Sequence, residues 1–290
     1  MDRKTIYKIM TAVAAFAVMS LASCVKDDLY DTPHPDKGAV LVRIDWKGSI
    51  PEEVIQDEYT LDIDGEEQTT GINTTEVVKL SEPGTHTVLV YNRPAGIIIE
   101  NGIASVGEAV RSRTAERVIQ ALPGYFFTGR QEITVARDDS LRVHLPIEQR
   151  NRDLRVELTV ANGNSELIES VTGTLKGIAG AFSLQEQKIT DSEASTVLSF
   201  MRSDDKFTAN ARLLGFTGEK PPFTLEIRFT DGRTQTVESG NFAETVKGFG
   251  DNMTETFVLT NKLNPPADTG MTATIENWKS GNNGEDIDIH

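Results

Sequence analysis

The chain has 290 residues, 38% hydrophobic and 25% charged, which is the balance of a folded protein and not of a disordered or collagenous one. Its formal net charge is −15, and a surface of that sign repels phosphate backbones and anionic headgroups, which argues against nucleic-acid binding. Four histidines and one cysteine are too few for a His/Cys metal centre or a disulfide framework, and no cofactor is expected.

The chain opens with Arg3, Lys4 and Lys8, followed by an apolar run from Ile9 to Ala22. That run is too short to cross a hydrocarbon layer of ~30 Å as a helix but suits a secretory signal. It ends in Leu21-Ala22-Ser23-Cys24, which resembles the lipobox of bacterial lipoproteins. The resemblance implies removal of residues 1–23 and acylation of Cys24, the one cysteine of the chain. Two or more acyl chains anchor stably where one is marginal. Lys26, Asp27 and Asp28 follow directly and look like the surface-export signal of Bacteroidetes lipoproteins. Residues 24–38, acidic and containing Pro33 and Pro35, read as an extended leash.

The rest reads as β structure. In 40–46 the residues Val40, Val42, Ile44 and Trp46 share one face. Residues 59–64 alternate and stop at Asp64-Gly65, a hairpin signal. Strands are expected at 75–80 and 85–91 around a Glu82-Pro83-Gly84 turn. Two more, at 131–136 and 140–147, flank the Arg137-Asp138-Asp139 turn, with Leu141, Val143, Leu145 and Ile147 inward. Between them, 107–122 place Ala115, Val118, Ile119 and Leu122 at helical spacing, which predicts a short surface helix or loop insertion in the first sandwich. Tyr125-Phe126-Phe127 then enter the core as packing residues.

A polar run at 148–152 marks an expected boundary. Beyond it, strands are expected at 154–160, 166–171, 173–184, 195–201, 206–214, 223–230, 233–238, 254–260 and 271–278. Asp231-Gly232 is the clearest hairpin signal among them. Short alternating runs between Gly, Pro and Asp turns are the pattern of sandwiches. The expected layout is therefore a β-sandwich over 39–149, a second over 150–278, about seven strands in each, and a polar tail over 279–290.

Signals for chemistry are sparse. The sequence has no phosphate loop, no G-x-S-x-G elbow and no H-E-x-x-H pair. The run Asp62 to Glu67 superficially resembles a calcium loop, but its glycine is fourth instead of sixth and strands flank it, so a solvated hairpin tip is expected. Asp139-Ser140-Leu141 resembles the O-glycosylation motif of Bacteroidetes envelope proteins.

The lipobox, the Lys-Asp-Asp tag and two successive all-β halves together resemble the fimbrillin superfamily of Bacteroidetes. Pro123-Gly124-Tyr125-Phe126, the span Leu154 to Ala179 and the closing Ile275-Glu276-Asn277-Trp278 add to the likeness. That resemblance implies two transthyretin-like sandwiches and a non-enzymatic, lipid-anchored fimbrial subunit at the outer membrane and cell surface. It implies fimbrial stalk subunits as partners, assembled by β-strand exchange. Stalk subunits of the family are trimmed after an arginine near the first strand, whereas anchors keep that strand. Arg43 is the candidate cleavage point here, yet it lies inside the alternating run, which favours an anchor or accessory role. Met271, Ala273, Ile275 and Trp278 are the candidate exchange strand, with the last strand of the second sandwich as the plainer alternative. A surface glycan-binding lipoprotein is the competing function, with Trp46 and Trp278 as its sugar platforms.

Overall fold

The computed structural model describes residues 36–46, 58–71, 77–109, 116–161, 165–218, 221–238, 240–265 and 272–281. Within these, the chain forms two β-sandwiches. The first is made of β1 (Gly38–Trp46), β2 (Glu58–Ile63), β3 (Glu66–Gly71), β4 (Val77–Ser81), β5 (Gly84–Tyr91), β8 (Phe127–Val135) and β9 (Ser140–Gln149). One layer runs β3-β2-β5-β8 and the other β9-β1-β4. The layers join where β8 and β9 pair at Phe127↔Gln149 and Thr128↔Glu148, after which the two strands part into opposite sheets. Alternation dictates the core: Val40, Val42, Tyr59, Leu61, Val88, Val90, Ile133, Val143, Leu145 and Ile147 meet between the layers.

One hairpin signal works as its residue types require. Asp64 (φ 52°) and Gly65 (φ 89°) close β2 onto β3, both in the left-handed region that a two-residue turn demands. The expected hairpin tip at Asp62–Glu67 is therefore present, with Asp62 Oδ1 accepting the Gly65 amide at 2.6 Å.

The second sandwich is made of β10 (Arg152–Val160), β11 (Ile168–Ala179), β14 (Glu193–Ser199), β15 (Met201–Ser203), β16 (Lys206–Leu213), β17 (Phe223–Phe229), β18 (Thr234–Glu238) and β19 (Phe257–Asn264). Its layers run β14-β11-β17-β18 and β15-β16-β10-β19. Matching β10, β11, β14, β16, β17, β18 and β19 to β1, β2, β3, β4, β5, β8 and β9 preserves every neighbour but one: the pairing of β8 with β9 has no counterpart between β18 and β19 among the described residues. The halves thus repeat one topology although the sequence shows no repeat. In each, the first strand is central, antiparallel to one neighbour (β4 or β16) and parallel to the last strand (β9 or β19).

The insertions differ from expectation. The first sandwich carries β6 (Ile97–Glu100) and β7 (Ile103–Val106), and the second carries β12 (Ala181–Ser183) and β13 (Lys188–Ile189). Together these form a further sheet, β13-β12-β7-β6, shared by both halves. Residues 173–184, read as one strand, break at Gly180, which donates to Ser192 O at 2.7 Å. Of the segment 107–122, residues 110–115 lie outside the described residues, and the described remainder is extended: Glu108 bridges Ile119 and Val118 bridges Ser195. Ile119 is buried while Leu122 is 57% exposed, so the apolar spacing there does not define one face. Among the described residues a helix, α1 (Phe242–Thr245), lies between β18 and β19, followed by a 3-10 turn at Val246–Gly250.

The expected boundary run is not solvated. Gln149, Asn151 and Arg152 are buried, and β9 hands over to β10 across two residues. Asn151 Oδ1 accepts the Phe126 amide at 2.9 Å, and its Nδ2 donates to Gly124 O at 2.8 Å. Asn92 does the same for Phe127 N and Tyr125 O. Phe126 and Phe127 are both fully buried, as their packing reading required.

Candidate functional site

The first strand is the element to which the sequence assigns most function, and its surroundings explain why it is held so firmly. Gly38 begins β1 against the 136–139 turn. A Cβ there would collide with Ala136 O and Val135 Cγ1, so a glycine permits the close approach. Ala39 N donates to Asp139 O at 2.8 Å, and Lys37 reaches Glu82 at 3.0 Å. Val40 and Val42 point into the core, while Leu41 and Arg43 point out. Arg43 sits mid-strand, opposite His144 on β9, with Asp45 at 3.6 Å. A cut after Arg43 would release 38–43, and β4, whose register pairs are all with 38–42, would lose that partner.

Among the described residues β4 is itself an edge strand, and Val78 and Leu80 give it apolar exposed side chains. Val78 and Leu80 are 59% and 64% exposed, directly opposite Leu41 and Ala39. An edge with free backbone groups beside exposed apolar side chains is suited to adding another strand.

The closing segment, 272–281, lies along β19 on the edge away from β10. It is broken into β20 (Thr274–Ile275) and β21 (Lys279–Gly281), with two and three register pairs to β19. Side-chain amides bridge the break. Gln235 receives the Ala273 amide at 2.6 Å and donates to Ala273 O at 2.8 Å. Asn241 receives the Trp278 amide at 2.8 Å and donates to Trp278 O at 3.0 Å. Asn261 donates to Glu276 O at 3.0 Å. The Trp278 ring is buried against Phe223 and Phe242, with centroids at 5.5 and 6.2 Å. The amides of Gln235 and Asn241 each make the paired bonds that a neighbouring strand would make, while Asn261 supplies a single donor.

Of the predicted site residues, Arg43, Ala273, Ile275 and Trp278 are described; Cys24, Lys26, Asp27, Asp28 and Met271 lie outside the described residues. Arg43 belongs to the first sandwich and Ala273, Ile275 and Trp278 to the second. The amides of Gln235, Asn241 and Asn261 were missed, because an amide side chain in a strand or turn carries no pattern in the sequence that says which backbone it will bond. The glycan reading loses ground: Trp278 is 3% exposed, and the side chain of Trp46 lies outside the described residues.

Charged groups form local structural pairs. Asp64 accepts the Thr87 amide at 2.8 Å and faces His86 Nδ1 at 2.5 Å. The Thr87 amide holds the Asp64 carboxyl below its ordinary value, and the Asp64 hydrogen bond raises the His86 imidazole above its own. Burial first, and then its bond to Glu67 at 2.7 Å, push the Tyr91 hydroxyl up. Among the described residues, no three His, Cys, Asp or Glu side chains gather as metal ligands.

No curated protein matches the chain. A family model described as fimbrillin-A associated anchor proteins Mfa1 and Mfa2 matches residues 59–284. Among solved structures, the fimbrial anchor protein Mfa2 from Porphyromonas gingivalis aligns at 12% identity and TM-score 0.55, covering 85% of this chain and 98% of that one. An adhesin candidate from Bacteroides ovatus aligns at 9% identity and TM-score 0.57, covering 86% and 97%. A second from that species aligns at 16% identity and TM-score 0.54, covering 87% and 96%. At such identities these structures speak to the fold.

Proposed function

The chain belongs to the family of fimbrillin-A associated anchor proteins, and from that membership we propose that it is a non-enzymatic, lipid-tethered accessory subunit of a fimbrium, of the anchoring type. Cys24 would carry the lipid at the outer membrane, and Lys26, Asp27 and Asp28 would direct the protein to the cell surface. Its partners are fimbrial stalk subunits. The family match over 59–284 carries this reading. An unbroken β1 supports the anchoring type: Arg43 lies within the ladder to β9, and Val40 and Val42 fill the core of the first sandwich.

Strand exchange is proposed through 271–278. The described part of this segment meets β19 through two register pairs, and residues 279–281 add three more, against the eight between β1 and β9, so its release breaks little of the ladder. Released, it would leave β19 as an open edge and present Trp278 to a partner's groove.

Mass spectrometry of the protein extracted from cell envelopes tests the tether and the role together. An acylated N-terminal Cys24 is expected; a mature start near residue 44 would show trimming after Arg43 and remove the anchoring reading. Deleting 271–290 is expected to lower recovery of the protein with sheared fimbriae about tenfold, the loss of ~1.4 kcal/mol of association. Undiminished recovery would remove 271–278 as the exchange strand.

A further inference from the structure

We infer from the pairing registers that each sandwich is a shear clamp, and that the chain serves to carry tension along its length. β1 and β9, first and last strands of the first sandwich, are adjacent and parallel over eight pairs, from Ala39↔Ser140 to Trp46↔Ile147. β10 and β19 repeat this over seven pairs, from Leu154↔Phe257 to Val160↔Leu263. Force entering before Gly38 and leaving after Gln149 therefore draws the two strands in opposite senses along their common direction. Their hydrogen bonds run across that direction, so the whole ladder is strained at once. Bonds loaded one at a time from an end would give way singly.

Side chains add to the clamp. A slip of β1 by one residue would exchange Val40 and Val42 for Leu41 and Arg43 in the core, because the face changes with every position. β4 grips the other side of β1 from Gly38 to Val42. In the second sandwich, a slip of β10 would replace Leu154, Val156 and Leu158 by Arg155 and Glu157. The handover between clamps has no slack: Arg150 and Asn151 alone separate β9 from β10, and Asn151 is fully buried with both ends of its amide bonded.

The segment after β19 has the opposite character. It turns back antiparallel to β19, and its last described residue, Gly281, lies opposite Val258 near the start of that strand. Pulled from its free end, it peels pair by pair. The chain thus places one soft strand in series with two stiff ladders. The source of the load rests on the tethered, fimbrial reading; the clamps themselves do not, and purified protein tests them separately.

The experiment is single-molecule pulling on the chain from Cys24 to His290, with the Cys24 thiol as one handle and a C-terminal tag as the other. A small low-force lengthening is expected first, followed by two high-force events, each freeing about 110 residues, or roughly 370 Å of chain. A comparison molecule bears Arg137→Cys and is pulled between residues 24 and 137. There the force acts on the same end of β1 and β9 and unzips them, so the peak for the first sandwich is expected to fall to about half or less. Equal peaks in the two directions, or end-to-end lengthening without two events of this size, would overturn the inference.

Discussion

Arg152 is 3% exposed, and its guanidinium is met by backbone oxygens: Nε donates to Glu255 O at 2.6 Å, and Nη1 to Phe249 O at 2.5 Å and Gly248 O at 3.3 Å. The rings of Phe249 and Phe257 lie at 5.6 and 5.0 Å from it. The cation thus fastens the end of the 3-10 turn to β10, while burial lowers its pKa from the ordinary value. Arg152→Ala is expected to cost about 3 kcal/mol by urea unfolding, since carbonyls tied to a charged donor lose it. Arg152→Lys is expected to recover only part, because a point charge cannot serve several carbonyls in one plane. The sequence offered Arg152 merely as one charge in a polar run. Its burial depends on what β19 and the turn bring to it from a hundred residues away.

The His86–Asp64 pair makes a pH prediction with a definite sign. The imidazole is raised in the folded state, so its contribution is complete below its unfolded value near 6.5 and is lost as pH climbs through the folded value. The carboxyl is lowered, so its contribution holds above its unfolded value near 3.8 and is lost as pH falls through the folded one. Hydrogen exchange at the Thr87 amide should be most protected between those limits and quicken, beyond the intrinsic rise, as pH climbs through the raised folded-state value of His86. His86→Gln should flatten the upper limb; an unchanged pH profile in that variant would refute the pairing.

Among elements, the strands that alternate strictly were legible: β1, β2, β9, β10, β17 and β18 fall within a few residues of where the pattern puts them. The pattern cannot tell which sheet a strand joins. β8 and β9 are consecutive and joined by a short turn, yet they pair only at their far ends. Gly129 marks the parting, since a Cβ there would run into Pro146 O. β6 and β7 were readable and were passed over: Asn101-Gly102 between apolar runs is a strong two-residue turn signal, and both residues sit in the left-handed region (φ 51° and 74°). The closing strand was legible as one run, but its division at Glu276–Trp278 follows from the side-chain amides of Asn241 and Asn261 elsewhere in the chain. Gly38 offers the element-scale test of β1. Gly38→Ala drives a methyl into backbone and is expected to destabilise the first sandwich by about 2 kcal/mol in chemical unfolding.

On the scale of the molecule, two like sandwiches were expected from the resemblance, but no sequence repeat shows their common topology. The repeat lives in strand order and direction, and unlike sequences such as VLVRIDW in β1 and LRVELTV in β10 satisfy it equally well. Contact between the halves was also hidden. Leu89, Tyr91, Ile97, Ala104, Val106, Ile119 and Phe126, all from the first half, pack into the same core as the second sandwich. Arg212 shows how the surface of that contact is finished: its ring partner Tyr125 lies at 3.3 Å, Asp153 at 2.7 Å and Pro123 O at 2.8 Å.

The sheet shared by both halves also bears on biosynthesis. β7 finds its partner, β12, some eighty residues later, at Ala181↔Ser105 through Ser183↔Ile103. A nascent or translocating chain that has delivered β1 to β9 holds the β6–β7 hairpin with one edge of β7 still unpaired, and Ala104 and Val106 wait for a surface not yet synthesised. Folding in strict N-to-C order therefore stalls at this point, and a gene cut between the halves would yield two fragments, each with a raw edge where the other belongs.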